Sequence, residues 1–213
     1  TANVEERGRL MDVLEAGGQL NRKVEVLPDA AAMAERYAAG RPLTRPEIGV
    51  LLSYAKLVLF DELIASPVPD DAHFHGTLMH YFPAKMQRPY AADIAAHRLR
   101  REIIATSLAN EVVNRGGPGF VVQMSEATGT TPADVVKAAM LAREGFGLQR
   151  LWAEADALDN RIGGQAQNAL YAVIGDIYAA LTRVLLKTGL HRAELGKAIS
   201  SLQSAAKNLK GII

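Results

Sequence analysis

The chain has no cysteine, a single tryptophan and only 6% aromatic residues among its 213 positions. Without cysteine, disulfides and thiolate metal sites are excluded, which suits a cytoplasmic protein. Charge of one sign is also lacking. Lys and Arg number 24 against 23 Asp and Glu, a formal net charge of +1, so nothing draws the whole molecule to nucleic acid or an anionic membrane. The first residues, TANVEERGRL, lack the apolar core of a signal peptide. Strand patterns are scarce: Val24 to Leu27 and Phe120 to Val122 are β-branched or aromatic, but too short and isolated to build a sheet. No repeat period is apparent, which argues against a solenoid. The glycine clusters Gly116-Gly117-Pro118-Gly119 and Gly145-Phe146-Gly147 follow no strand and do not fit G-x-G-x-x-G, so they read as helix stops.

What is present is helical. Apolar residues make up 49% and charged residues 22%, ordinary values for a soluble globular protein long enough to bury a sizeable core. Asn3 to Ala16 reads as a short helix, and Asp29 opens an alanine-rich one that stops at Gly40. Thr44 then has the features of an N-cap, with Pro46 in the first turn and Glu47 as capping-box partner. The helix that follows, Arg45 to about Ala65, carries apolar residues on most faces, and such a helix is expected to be enclosed by neighbours on several sides. It is too short and too interrupted for a membrane span, which needs about 20 apolar residues. Ser66-Pro67-Val68-Pro69 closes it. Ala72 to Phe82 reads as an interrupted helix. A second strong helix, Leu99 to Arg115, has its stripe at Leu99, Ile103, Ile104, Leu108, Val112 and Val113. Phe120 to Thr128, Thr131 to Glu144 and Leu148 to Leu158 follow as shorter helices.

From Gln165 to Lys187 a long helix is expected to place Leu170, Val173, Ile174, Ile177, Leu181, Val184 and Leu185 on one face. Leu195, Ile199, Leu202, Ala206, Leu209 and Ile213 then form a short heptad seam, expected to pack antiparallel on the long helix or against a partner chain. The fold class is all-α: a multi-helix, bundle-like domain with irregular Pro/Gly-rich connections and a C-terminal helical hairpin. Residues 1–40 read as connector helices, 41–162 as the helical core and 163–213 as the hairpin, with 41–213 forming one compact domain.

The words LTRPEIGVLLSYAKLVLFDEL, Leu43 to Leu63, closely resemble the C-terminal helical region of the large bacterial NAD-specific glutamate dehydrogenases. YFPAKM, HRLRREIIATSLANEVVNRGGPGF, AREGFGLQR and LWAEADALDN repeat that resemblance in the family's order and spacing. LNRKVEVLPD, Leu20 to Asp29, resembles the join after the family's nucleotide-binding domain, and beyond Thr188 the likeness fades. At Gly117-Pro118-Gly119 the chain departs from the family pattern, which has less glycine and more β-branched character. The resemblance implies a supporting or regulatory segment of an enzyme that converts L-glutamate, NAD and water to 2-oxoglutarate, ammonium and NADH. It also implies that the family's catalytic lysine and aspartate lie upstream, so no catalytic, cofactor-binding or metal-binding residue is assigned here and the segment alone is expected to be inactive. The chain, opening on Thr1 without a methionine, then reads as a piece of something longer. Its expected partner is the upstream catalytic domain, and homo-oligomer formation stays open, as do the effectors. A free-standing helical interaction module is the alternative.

Residues Asn110, Asn114 and Arg115, after the Leu99 stripe, and Asp159 and Asn160, after the Trp152 helix, are candidates for interdomain contact; capping and interhelical hydrogen bonds are the competing reading. Trp152 itself reads as a core anchor. Two rival sites are weaker. Asp70, Asp71, His73, His75 and His80 contain His-x-His, which can bind zinc, but on a helix His73 and His75 point to different faces. His97, Arg98, Arg100 and Arg101 are basic, but Glu102 is placed to pair with Arg98 and no aromatics interleave to stack bases.

Overall fold

The structure, a computed structural model, describes residues 2–210. Among these, twelve α-helices and three short 3-10 turns occur and no strand, so the fold is all-α. The chain divides into two compact units at Gln123/Met124.

In the first unit, α1 (Ala2–Ala16) and α2 (Ala30–Ala38) lead to α3 (Arg45–Ile64). The connection between α1 and α2, which includes Val24 to Leu27, is coiled by turns. Glu25 N donates to Asn21 O at 3.1 Å and Leu27 N to Arg22 O at 2.9 Å, and Val26 takes a left-handed φ of 55°. Arg22, 6% exposed, holds this loop against α1: its Nε lies 2.9 Å from Glu15 Oε2 and its guanidinium also pairs with Asp12. Val4, Leu10, Met11, Leu14, Leu20, Leu27, Met33, Leu43 and Leu51 form one core cluster, against which Ile48, Tyr54 and Val58 of α3 pack. The first half of α3 is thus covered by α1, α2 and their loop.

After 3-10 turns at Val68–Asp70 and Ala72–Phe74, the short helices α4 (His75–Tyr81), α5 (Ala84–Gln87) and α6 (Ala91–Ala95) lead to α7 (Arg100–Gly116). The Ala72 to Phe82 segment therefore splits into a 3-10 turn and a short α-helix, and Pro83 and Pro89 bracket a further single turn. Helix α7 buries Ile103, Ile104, Ala105, Leu108, Ala109, Val112 and Val113 and packs along α3. Leu99 is its N-cap and is 53% exposed, so it lies outside the expected stripe.

Helix α8 (Phe120–Thr128) spans the division between units. In the second unit α9 (Pro132–Gly145) is the hub, buried at Val135, Val136, Ala138, Ala139, Met140, Leu141 and Ala142. It touches α10 (Leu148–Asp156), α11 (Gly164–Thr188) and α12 (Leu195–Lys210). Helix α12 follows α11 through a 3-10 turn at Leu190–Arg192, yet its principal neighbour is α9 and not α11. The reason is the small side chains of α9. A Cβ on Gly145 would lie 2.7 Å from Leu202 Cδ1 and 3.0 Å from Leu202 Cβ, so only glycine lets α12 approach there. The C-terminal seam residues Leu209 and Ile213 lie outside the residues whose side chains are described. Trp152, 3% exposed, stacks edge-on against Tyr178 of α11 at 5.4 Å, as befits a core anchor.

The join of α2 to α3 rests on Glu47. Its carboxylate accepts Thr44 N at 2.7 Å and Thr44 Oγ1 at 2.9 Å, and takes a two-pronged pair from Arg36, Nη1 at 2.8 Å and Nη2 at 2.9 Å. The hydrogen bonds from Arg36 are foremost in holding the Glu47 carboxyl down to about 2, and those from Thr44 add to them. Because the folded value lies below the ordinary 4.5, the ionised carboxylate stabilises the fold at neutral pH, and that contribution is lost as pH falls from about 4.5 toward 2. Glu47→Gln is expected to cost about 1–2 kcal/mol near pH 7. In urea titrations the gap between variant and parent should close across that acid range.

Candidate functional site

The length of α3 carries more apolar surface than its unit covers. Leu51, Leu59 and Leu63 are buried, but most other apolar positions are only half-buried and Leu57 is 59% exposed. The expected enclosure on several sides is therefore incomplete: the α1/α2 cluster and α7 cover parts of the circumference, and one face remains open. The open face, read off at steps of three and four, is Ser53, Lys56, Leu57 and Phe60. Thr106, Ala109 and Asn110 of α7 line its other wall, giving a groove of about 310 Å³.

Both walls are held in register at one end by Arg101. Its Nη2 donates to Ile64 O at 2.9 Å and Ser66 O at 3.0 Å, and its Nη1 pairs with Asp70. These bonds occupy carbonyls that the end of α3 leaves without helical partners. Arg101 is thus a structural clamp and not part of a phosphate-binding patch. Asp70 and Asp71 are likewise engaged. Asp71 Oδ1 accepts His73 N at 3.0 Å, and the His73 ring lies edge-on to Phe74 at 5.3 Å. Among the described residues no group of three or more His, Asp or Glu side chains is placed to hold a metal ion.

In chemical terms the groove offers one ammonium, an amide, two hydroxyls and an apolar floor. The Ser53 hydroxyl is already donated to Gly49 O at 3.0 Å. No carboxylate lines the groove, so it holds no acid–base pair and no cation cradle. It suits the docking of a side chain or loop, with Leu57 and Phe60 as apolar contacts and Lys56 and Asn110 as polar ones.

Of the sequence candidates, Asn110 lines this groove, Asn114 is exposed one turn further along α7, and Arg115 Nε lies 3.8 Å from Glu111 Oε1. Asp159 and Asn160 belong to the second unit, in the turn after α10. Both are exposed; Asn160 adopts a φ of 59°, and Asp159 Oδ1 accepts its N–H at 3.1 Å. Leu57 and Phe60 were not among the candidates, although the signal was present: a helix with apolar residues at too many angles has surplus surface on some face.

The family model described as "Glutamate dehydrogenase, C-terminal" matches residues 40–212. The NAD-specific glutamate dehydrogenase of Halomonas elongata is 40% identical over 175 residues, which are 82% of this chain and 11% of that protein. The protein of the same name from Pseudomonas aeruginosa is 36% identical over 195 residues, 92% of this chain and 12% of that protein. The Mycobacterium tuberculosis protein of that name is 35% identical over 133 residues, 62% of this chain and 8% of its own length. The chain thus spans about a tenth of the length of the curated relatives it matches.

If the groove is surplus to the fold of this unit, Leu57→Ala should change stability by no more than about 0.5 kcal/mol. Leu59→Ala, at a side chain 2% exposed two residues along and on the opposite side of α3, should cost about 2–5 kcal/mol. Paired denaturation curves test the contrast.

Proposed function

The chain belongs to the glutamate dehydrogenase C-terminal family, and on that premise we propose that it is the C-terminal helical part of an NAD-dependent glutamate dehydrogenase. The whole enzyme would convert L-glutamate, NAD⁺ and water to 2-oxoglutarate, ammonium and NADH. In this reading the chain performs no chemistry and binds no NAD itself. It braces the catalytic domain that precedes it in the same polypeptide, and a cytoplasmic location suits its freedom from cysteine.

The observation that carries the reading is the family match over residues 40–212, together with relatives of which the matched stretch is only 11–12%. The α3/α7 groove supports the bracing role, because it lies in the matched region and combines an exposed Leu57 with an absence of acid–base pairs. Asn110 and Asn114, on the same stretch of α7, belong to the proposed contact, with Arg115 beside them. Asp159 and Asn160 are proposed as a second contact point, presented by the second unit.

Purified chain supplied with L-glutamate and NAD⁺ is expected to produce no NADH above the protein-free rate; turnover blocked by a glutamate analogue would contradict the supporting role. In the full-length enzyme, Leu57→Glu is expected to lower glutamate-dependent NADH production severalfold, because it places a charge in a desolvated contact. Unchanged activity there would remove the groove from the proposal.

A further inference from the structure

Helix α11 buries Ile174, Tyr178, Thr182, Leu185 and Leu186. A second apolar line runs along its outer side: Leu170 is 40% exposed, Val173 56%, Ile177 39% and Val184 56%. Isolated apolar side chains on a surface need no explanation, but a contiguous row does. Ala180, also exposed, completes the row, and the steps from Leu170 to Val184 then run three, four, three and four. That is the spacing of a two-helix seam. By length and composition α11 would also qualify as a membrane span.

The charges beside the seam decide what covers it. Asp176 and Arg183 are exposed, lie seven residues apart, and flank the row on the same side. Two copies of α11 laid antiparallel about a two-fold axis between Ile177 and Ala180 set Ile177 opposite Ala180 of the other copy, and Val173 opposite its Val184. The same placement brings Asp176 within reach of the other copy's Arg183, and the symmetry repeats the pair. Leu170 then meets Lys187, whose methylene stem can cover it while the ammonium stays in water. A parallel pairing would instead set Asp176 beside Leu181 and Arg183 beside Thr188 of the other copy, and would form no charge pair. A bilayer would have to take in Asp176 near the middle of the helix, which is costly.

We propose that the outer face of α11 is a self-association surface, on which a second copy of this chain docks antiparallel through Leu170, Val173, Ile177 and Val184, with Asp176 and Arg183 setting the register. The row from Leu170 to Val184 is about 21 Å long at 1.5 Å per residue. A single helix pair of that length makes a small interface, so association is reversible and concentration-dependent.

Sedimentation equilibrium of the 213-residue chain over a concentration series tests this. The apparent mass should rise toward twice the monomer mass, and Val173→Glu should keep it at the monomer value with helix content unchanged. Asp176→Arg and Arg183→Asp should each weaken association by roughly tenfold, and the double exchange should restore it. A chain that stays monomeric at every concentration overturns the proposal, whether it remains free or adsorbs to phosphatidylcholine vesicles. So does a dimer indifferent to Val173→Glu, or a double exchange no tighter than either single variant.

Discussion

The first unit depends on the contact between α3 and α7. Each helix supplies what the other lacks. Helix α7 offers a regular stripe of buried side chains from Ile103 to Val113, and α3 offers leucines at Leu59 and Leu63 for that stripe to cover. Helix packing of this kind fixes the line of contact but not the ends of the helices. The ends are fixed by two arginines. Arg36 reaches from α2 to Glu47 in the first turn of α3, and Arg101 reaches from the first turn of α7 to the carbonyls of Ile64 and Ser66 at its close. Held at both ends in this orientation, α3 leaves Leu57 exposed, and an open groove runs between that face and α7. The groove is a consequence of how α3 is held.

The second unit is organised differently, around one helix with small side chains. Helix α9 buries four alanines and valines in its first two turns alone, namely Val135, Val136, Ala138 and Ala139, and several helices lean on it. Its start is anchored by its own capping box: Thr131 Oγ1 accepts Asp134 N at 3.2 Å and donates to Asp134 Oδ2 at 2.8 Å. His191, fully buried in the turn before α12, lies with Nε2 3.6 Å from Asp134 Oδ1 and Nδ1 3.3 Å from Leu185 O, so the same aspartate also sits beside the connection from α11 to α12.

Local signals were legible in the sequence and longer-range ones less so. The starts of α3 and α9 follow from Thr44-Pro46-Glu47 and Thr131-Pro132-Asp134 because capping is settled within four residues. The inward face of α11 does not follow in the same way. Reading apolar residues alone groups Leu170, Val173, Ile177 and Val184 with Ile174 and Leu185, yet the buried face runs through Tyr178 and Thr182 instead. Thr182 can be buried because its hydroxyl donates to Tyr178 O at 2.8 Å within the helix, which satisfies the group at little cost. Similarly, nothing in the heptad spacing of α12 says that its partner is α9; that follows from Gly145, which reads as a helix stop but serves as the point of close approach to Leu202. Of the candidate site, Asn110 was legible from its segment, while Leu57 and Phe60 emerged only once the covered faces of α3 were known.

On the proposed function, the α3/α7 groove is a contact surface for a longer polypeptide. The absence of cysteine gives a direct probe, since Leu57→Cys places a lone thiol of this region in the groove wall. Its rate of alkylation can be followed on the corresponding peptide by mass spectrometry, in the chain alone and in the full-length enzyme. Labelling should be rapid in the chain alone and strongly suppressed in the full-length enzyme. Equal rates in the two would contradict the proposed contact.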